Sequence, residues 1–289
     1  MLDKRGGPIS GQPNWSAGFM PSMFQGTLFR PSGNPILDLQ GPSHLDAVAQ
    51  RHQLDLLAQL NQKHLDERPG GRELAARIET YELAYRMQSE APDTVDLSKE
   101  TQTTRDLYGI GKQPTDEYGR NCLIARRLVE RGVRFIQLYS GGGHLEDTWD
   151  GHESIEKNHG LHGAEVDQPI AALLTDLEQR GLLESTLVVW GGEFGRMPFS
   201  EGRDAPGRNH NPYGFSMWMA GGGVKGGMGF GETDEFGFQA MVDKTHVHDI
   251  HATILHLMGI DHEDLSYFHQ GRQETLTDVH GRVIREICA

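Results

Sequence analysis

Residues 133–210 predict an α/β fold built on a mostly parallel sheet. Residues 133–139 (VRFIQLY) form a short apolar run rich in β-branched and aromatic side chains, the mark of a buried strand. Asp167 suits a helix cap, and Pro169 is tolerated in a first helical turn. Ile170, Leu173, Leu174 and Leu177 recur at helical spacing, and Gly181 ends the run. Residues 186–190 (TLVVW) read as the next strand. Two strands joined by a helix lie parallel, so the loops leaving them open at one edge of the sheet. In open α/β sheets that carboxyl edge binds ligands.

The elements follow in order. Residues 1–42 are rich in Gly, Pro and Ser with scattered aromatics (Trp15, Phe19, Phe24, Phe29) and predict an irregular segment. Ser43 and Asp46 suit the start of a helix running to about Asp66, and Pro69-Gly70-Gly71 breaks it. A second helix is expected over 72–89, with Leu74, Ile78, Tyr81 and Tyr85 on one face. Residues 91–116 read as loop. A third helix covers 116–131, closed by Gly132. Beyond the βαβ unit, residues 215–220 (FSMWMA) read as a buried strand with Gly221-Gly222-Gly223 as its turn. Residues 224–247 hold short strands at most, 249–258 a helix closed by Gly259, and 263–279 a surface excursion. The division expected is 1–115, an irregular and helical region packing on the core, and 116–289, the α/β core. No strand is legible before residue 133, whereas a doubly wound sheet begins with one. Either the protein is α+β, or the chain lacks N-terminal strands of a larger sheet.

Composition narrows the function. With 27 basic and 41 acidic residues the net charge is −14, which argues against a general nucleic-acid or anionic-membrane partner. An anionic substrate stays open, because a local cluster of arginine and metal overrides the global field. Two cysteines, Cys122 and Cys288, make no CxxC pair, so zinc–thiolate chemistry and a disulfide framework are not expected. No apolar run is long enough to span a membrane, and MLDKRGGPIS lacks the apolar stretch of a signal peptide.

The candidate chemistry sits in the two loops. The first carries His144, Asp147, Asp150 and His152, the last two in WDGH. A carboxylate and an imidazole two apart on a loop can face one cation, although surface loops also pair them by chance. The second loop carries Glu193, Arg196, Arg203, Arg208 and His210. Glu193, in GGEFGR directly after a strand, reads either as a metal ligand or as a partner of Arg196 that holds the loop. GRNHN (residues 207–211) places Arg208 and His210 within reach of one anion or metal, and Arg suits planar contact with phosphate or sulfate. His159 and His162 are second-tier candidates, and His246, His248 and His251 are expected to cap and pack the last helix. There is no GxSxG, no P-loop and no Ser or Thr in a convincing strand-to-helix turn, so no nucleophile stands out.

WDGH, DQPIAALLTDLEQRGLLESTLVVWGGEFGRMP, GRNHNPYGFSMWMAGGGVKGG and HVHDIHATILHLMGID together resemble the bacterial family catalogued as domain of unknown function 1501, whose members show WDxH, EFGRTP and GRDH at these places. NWSAGFMPSMFQGTLFR, YELAYRMQSEAP and CLIARRLVERGVRF extend the resemblance over nearly the whole chain. The family in turn resembles the alkaline phosphatase and sulfatase superfamily, which implies a three-layer sandwich with a mostly parallel sheet. On that comparison Asp150, His152, Glu193 and His210 stand as the metal ligands. Phe194 replaces the imidazole of the superfamily's Asp-His pair, and Asn209 replaces the family's Asp. Longer relatives carry an export signal, a first strand with an acidic ligand and the segment that would hold the nucleophile. The resemblance therefore implies a periplasmic or secreted setting and a chain lacking its N-terminal part. It further implies a divalent metal, zinc first, then calcium or manganese. The expected partner is an anionic ester substrate, such as a sulfated or phosphorylated polymer, held by Arg208, Asn209 and Arg196. The expected function is a metal-dependent hydrolase-like domain acting on phosphate or sulfate esters. The alternative is a non-catalytic exported binding or assembly protein that keeps the fold.

Overall fold

The computed structural model describes residues 1–289 apart from 19, 22–23, 31–34, 37–44, 68–80, 83, 86–87, 89–90, 144–147 and 201–205. The chain divides into two compact units, Met1–His144 and Leu145–Ala289.

The first unit is helical. Helix α1 (Ala47–Glu67) opens where Asp46 Oδ1 accepts the Ala49 N–H at 2.7 Å, so the expected start holds. Ser43, Leu74 and Ile78 lie outside the described residues. α1 buries no side chain. It meets the 81–88 segment through polar groups: Arg51 spans both oxygens of Glu82 at 2.5 and 2.8 Å and stacks on Tyr85. Residues 91–107 are more ordered than expected. They contain helical residues 91–95 and helix α2 (Gln102–Leu107), whose Thr101 Oγ1 caps the Thr104 N–H at 3.1 Å. The Thr and Asp caps that make this stretch look loop-like in sequence are what start its short helices. Helix α3 (Asp116–Glu130) carries the core of the unit. Cys122 and Leu123 are fully buried, with Tyr108 and Ile110 among the buried neighbours of the unit. A buried Leu such as Leu123 contributes about 1.5–3 kcal/mol relative to an exposed one. Gly119 has no room for a side chain, since a Cβ there would lie 2.2 Å from the Tyr108 carbonyl oxygen.

The second unit is built on helix α4 (Ile155–Gln179). It starts twelve residues before the expected Asp167 cap, and Pro169 sits inside it, buried. Proline deprives the turn of one hydrogen bond. Burial of Asn158, His162, Glu165 and Val166 on the preceding turns holds the helix through it. Leu173 and Leu177 are buried, Ile170 and Leu174 half-buried, and Gly181 closes the run at φ 67°.

Among the described residues, the strands of this unit pair in twos. They are β1 (Val188–Trp190) with β4 (Trp218–Ala220), β2 (Gly195–Arg196) with β3 (His210–Asn211), β5 (Glu232–Thr233) with β6 (Ala240–Val242), and β7 (Ser266–His269) with β8 (Arg272–Thr275). Every pair is antiparallel. Gly221, Gly222 and Gly223 all take positive φ after β4, and Gly222 packs where a Cβ would meet Leu187 at 2.7 Å. Helix α5 (Val247–Leu257) ends at Gly259, φ 75°.

The expected α/β sandwich with a mostly parallel sheet is therefore wrong for the described residues. Residues 133–139 form no strand. Tyr139 donates to the Met1 carbonyl at 3.0 Å, while Val133 is 41% and Phe135 75% exposed. The strand after α4 has β4 for its neighbour, running the opposite way. A short apolar run carries the composition of a strand, but a strand exists only when another backbone supplies its ladder. No helix among the described residues is long and apolar enough to cross a membrane.

Candidate metal centre

Three ligand-type atoms converge in the second unit. His210 Nε2 lies 3.0 Å from Asp150 Oδ1, His152 Nε2 lies 3.2 Å from the same oxygen, and the two imidazole nitrogens are 3.0 Å apart. Among the described residues, Asp150, His152 and His210 are the group of His, Cys, Asp and Glu side chains that could hold one ion.

Local chemistry delivers each member. Trp149 anchors the WDGH loop on the first turns of α4. Its ring packs on His159 and His162, with centroids 5.5 and 5.2 Å away, and its carbonyl faces His159 Nε2 at 3.2 Å. Asn158 Nδ2 donates to the Thr148 carbonyl at 2.9 Å, and Thr148 Oγ1 accepts the Asp150 N–H at 3.0 Å. His152 is brought to His210 by close backbone approach. The Arg208 N–H donates to the Gly151 carbonyl at 2.8 Å, and a Cβ on Gly207 would fall 1.8 Å from the His152 carbonyl oxygen. Only glycine fits there.

His210 arrives through the β2–β3 pair, directly across from Arg196. Facing residues of an antiparallel pair share one side, so the imidazole and the guanidinium reach the same carboxylate. Arg196 Nη2 donates to Asp150 Oδ1 at 2.6 Å and to the Trp149 carbonyl at 3.3 Å, and Nη1 to the Arg208 carbonyl at 3.1 Å. Phe194 packs on the His210 ring at 4.1 Å between centroids. Partial burial opposes the charge on Asp150. Hydrogen bonds from Arg196 and His210 and the positive field of Arg196 and His152 outweigh it, holding the carboxyl below the usual carboxylate range. The side chains of Asp150, His152 and His210 stay about one-third exposed or more, so the group opens to solvent on one side.

The donor set fits a divalent ion. Bonds of about 2.0–2.2 Å place neighbouring ligand atoms about 3.3–3.6 Å apart in a tetrahedral zinc site and about 2.8–3.1 Å apart in an octahedral one, and the observed edges of 3.0, 3.0 and 3.2 Å fall closer to the octahedral spacing. Protons alone serve the triangle poorly. If both nitrogens carry hydrogen, the His152–His210 edge sets donor against donor. If one lacks it, a bare nitrogen faces the carboxylate oxygen. A cation among the three satisfies every edge.

Of the residues singled out in sequence, Asp150, His152, His210 and Arg196 come together. Glu193 is exposed and stands outside the group. Arg208 turns its Nη1 onto the Gly207 carbonyl at 2.8 Å, and Asn209 Oδ1 accepts the His210 N–H at 2.7 Å. Both flank the cluster through the backbone of their own loop. His144, Asp147 and Arg203 lie outside the described residues. The group does not gather at the edge of a parallel sheet, as the strand–helix–strand pattern implied. It gathers because GRNHN folds back antiparallel on EFGR, which places His210 beside Arg196. The supporting roles of Trp149, Asn158 and Phe194 were not legible as such. A faint signal is the spacing of Asn158, His159 and His162, which falls on one helical face.

No curated protein and no solved structure matches this chain. The model of the family described as "Protein of unknown function (DUF1501)" matches residues 1–288, nearly the entire chain, and the protein belongs to that family.

Proposed function

We propose that the protein is a metal-dependent, hydrolase-like domain acting on phosphate or sulfate esters, with Asp150, His152 and His210 as ligands of one divalent ion. The observation that carries the reading is the 3.0–3.2 Å triangle of their ligand atoms. A bound ion of the zinc class would polarise an ester oxygen. The chain's own residues do the rest. Arg196 holds the Asp150 carboxylate ionised and fixed, Phe194 shields one face of His210, and Trp149 with α4 keeps the ligand loop in register. Arg208 and Asn209 stand on the adjoining loop, where a turn of the Arg208 side chain would bring a bidentate donor to the ester anion. The reading keeps the ester chemistry implied by the likeness to phosphatases and sulfatases, without their parallel sheet. The setting outside the cytoplasm implied by that likeness remains part of the proposal.

One observation favours a second reading, a binding or assembly role without turnover. The Arg196 guanidinium already gives Asp150 a cationic partner at 2.6 Å. Calorimetric titration with zinc and manganese, followed by assay on aryl phosphates and aryl sulfates, separates the two. Stoichiometric binding with turnover that disappears together in His210→Ala supports the hydrolase. Binding without turnover supports the second reading. No binding at all refutes the metal centre.

A further inference from the structure

We infer that the imidazole of His246 makes the start of α5 a pH-sensitive latch, closed when His246 is neutral and released when it is protonated. His246 is the N-cap of α5. Its Nδ1 accepts the His248 N–H at 3.2 Å, and its own N–H donates to Asp249 Oδ2 at 2.9 Å, which completes a capping box. The usual cap acceptors, Ser, Thr and Asn, keep their lone pairs at every physiological pH. An imidazole does not, because it titrates between pH 5 and 8. A proton on Nδ1 removes the acceptor, turns a donor toward the His248 N–H, and sets a full positive charge at the positive end of the helix.

The surroundings raise the stake. His246, His248 and His280 form a cluster with ring centroids 4.8, 5.7 and 6.4 Å apart, so protonation of more than one ring adds repulsion. Nδ1 of His248 is buried without a hydrogen-bond partner. A cavity of about 590 Å3 is lined here by His246, Asp249, Glu263, Asp278, His280 and Arg282. The acids facing His246 are largely engaged. Asp249 accepts the His246 and Arg282 N–H groups, and Asp278 pairs with Arg272 at 3.0 Å. Glu263 lies on the rim, Arg282 pairs with Glu286, and Asp243 and Lys244 precede the cap in the chain. The three rings do not bring their nitrogens together as Asp150, His152 and His210 do, and His246 Nδ1 is spent as an acceptor, so the cluster is not a metal site.

The latch has a defined load. Asp249, fixed by the capping box, holds the Arg282 N–H at 2.7 Å, and Thr253 one turn later holds the Ile284 N–H at 2.9 Å. Loss of the cap therefore loosens the 277–284 strap across the cavity. The sign follows from the neutral acceptor: the cap holds while the imidazole is neutral and is lost when Nδ1 takes a proton.

The test is amide hydrogen exchange on the full chain between pH 8 and 5.5, corrected for the intrinsic rate, with His246→Ser as the comparison. Serine caps without titrating. The expected result is a roughly tenfold rise in local opening at His248, Asp249 and Arg282 in the native chain on acidification, a cap's usual worth, with a flat profile in H246S. Native and H246S profiles that rise together, or that are both flat, overturn the latch. His280→Asn serves as the second variant. Under the proposal it keeps the transition and weakens its steepness, while abolition of the transition would move the titrating group to His280 and overturn the assignment to His246.

Discussion

His210 Nε2 stands 3.0 Å from Asp150 Oδ1, although sixty residues of chain separate them. The two are joined by paired backbones, β2 on β3, and by a loop whose tryptophan is held on α4. Removing either side chain should abolish the metal affinity proposed here. Asp150→Ala and His210→Ala are expected to weaken zinc binding by more than the ~10–100-fold that altering a supporting contact costs. Calorimetry on folded variants, checked by circular dichroism, measures it.

Trp149 supplies no ligand atom to the triangle, yet it positions the loop. Trp149→Ala should lower zinc affinity by roughly 10–100-fold while leaving all three ligands in place. Trp149→Phe, which restores a ring against His159 and His162, should recover most of the loss. Equal effects of the two substitutions would show that the ring does not set the loop.

Gly207 and Gly160 should respond oppositely to alanine. A Cβ at Gly207 meets the His152 carbonyl at 1.8 Å, and backbone cannot give way cheaply. Gly207→Ala should cost about 1–3 kcal/mol or more. Gly160 lies exposed inside α4 with nothing within 4 Å of the added carbon, so Gly160→Ala should stabilise by about 0.5–1 kcal/mol. Urea unfolding of both variants against the native chain decides this.

Glu100 should contribute to the acid limb of stability in the first unit. Its side chain is 10% exposed and receives Arg126 at 2.7 Å and Arg127 at 2.5 Å. Burial opposes its charge, but the bond from Arg127 and the field of Arg126 prevail and hold the carboxyl below the usual value. A depressed folded-state pKa contributes stability above the unfolded value of roughly pH 4.3, lost as pH falls through the folded one. Glu100→Ala should leave Arg127 without its carboxylate partner while Arg126 keeps Glu130, cost up to about 3–5 kcal/mol near neutral pH, and make the acid limb shallower. A steep limb that persists in the variant would assign it to other carboxylates.

Helix ends in both units were legible residue by residue. Gly132, Gly181 and Gly259 each mark a true helix end, because positive φ there is nearly glycine's alone. WDGH and GRNHN stood out as candidate ligand loops because Asp, His and Arg at such spacing are poor choices for a core, and their Asp and His side chains do come together. Tertiary structure decided what pairs with what. Residues 133–139 have the composition of a strand but find no ladder, and the strand after α4 takes an antiparallel partner from beyond residue 215. Asp167 and Pro169 imitate a helix start, yet α4 begins at Ile155 because burial of Asn158, His162 and Glu165 outweighs the missing proline hydrogen bond. Glu193 follows its strand as a ligand should, but the turn into β2 leaves it in solvent and gives the inward positions to Phe194 and Arg196. Caps and turns act over a few residues and are written in them. Strand partners, and the side of a turn that faces inward, depend on backbones far away in sequence, which local chemistry does not encode.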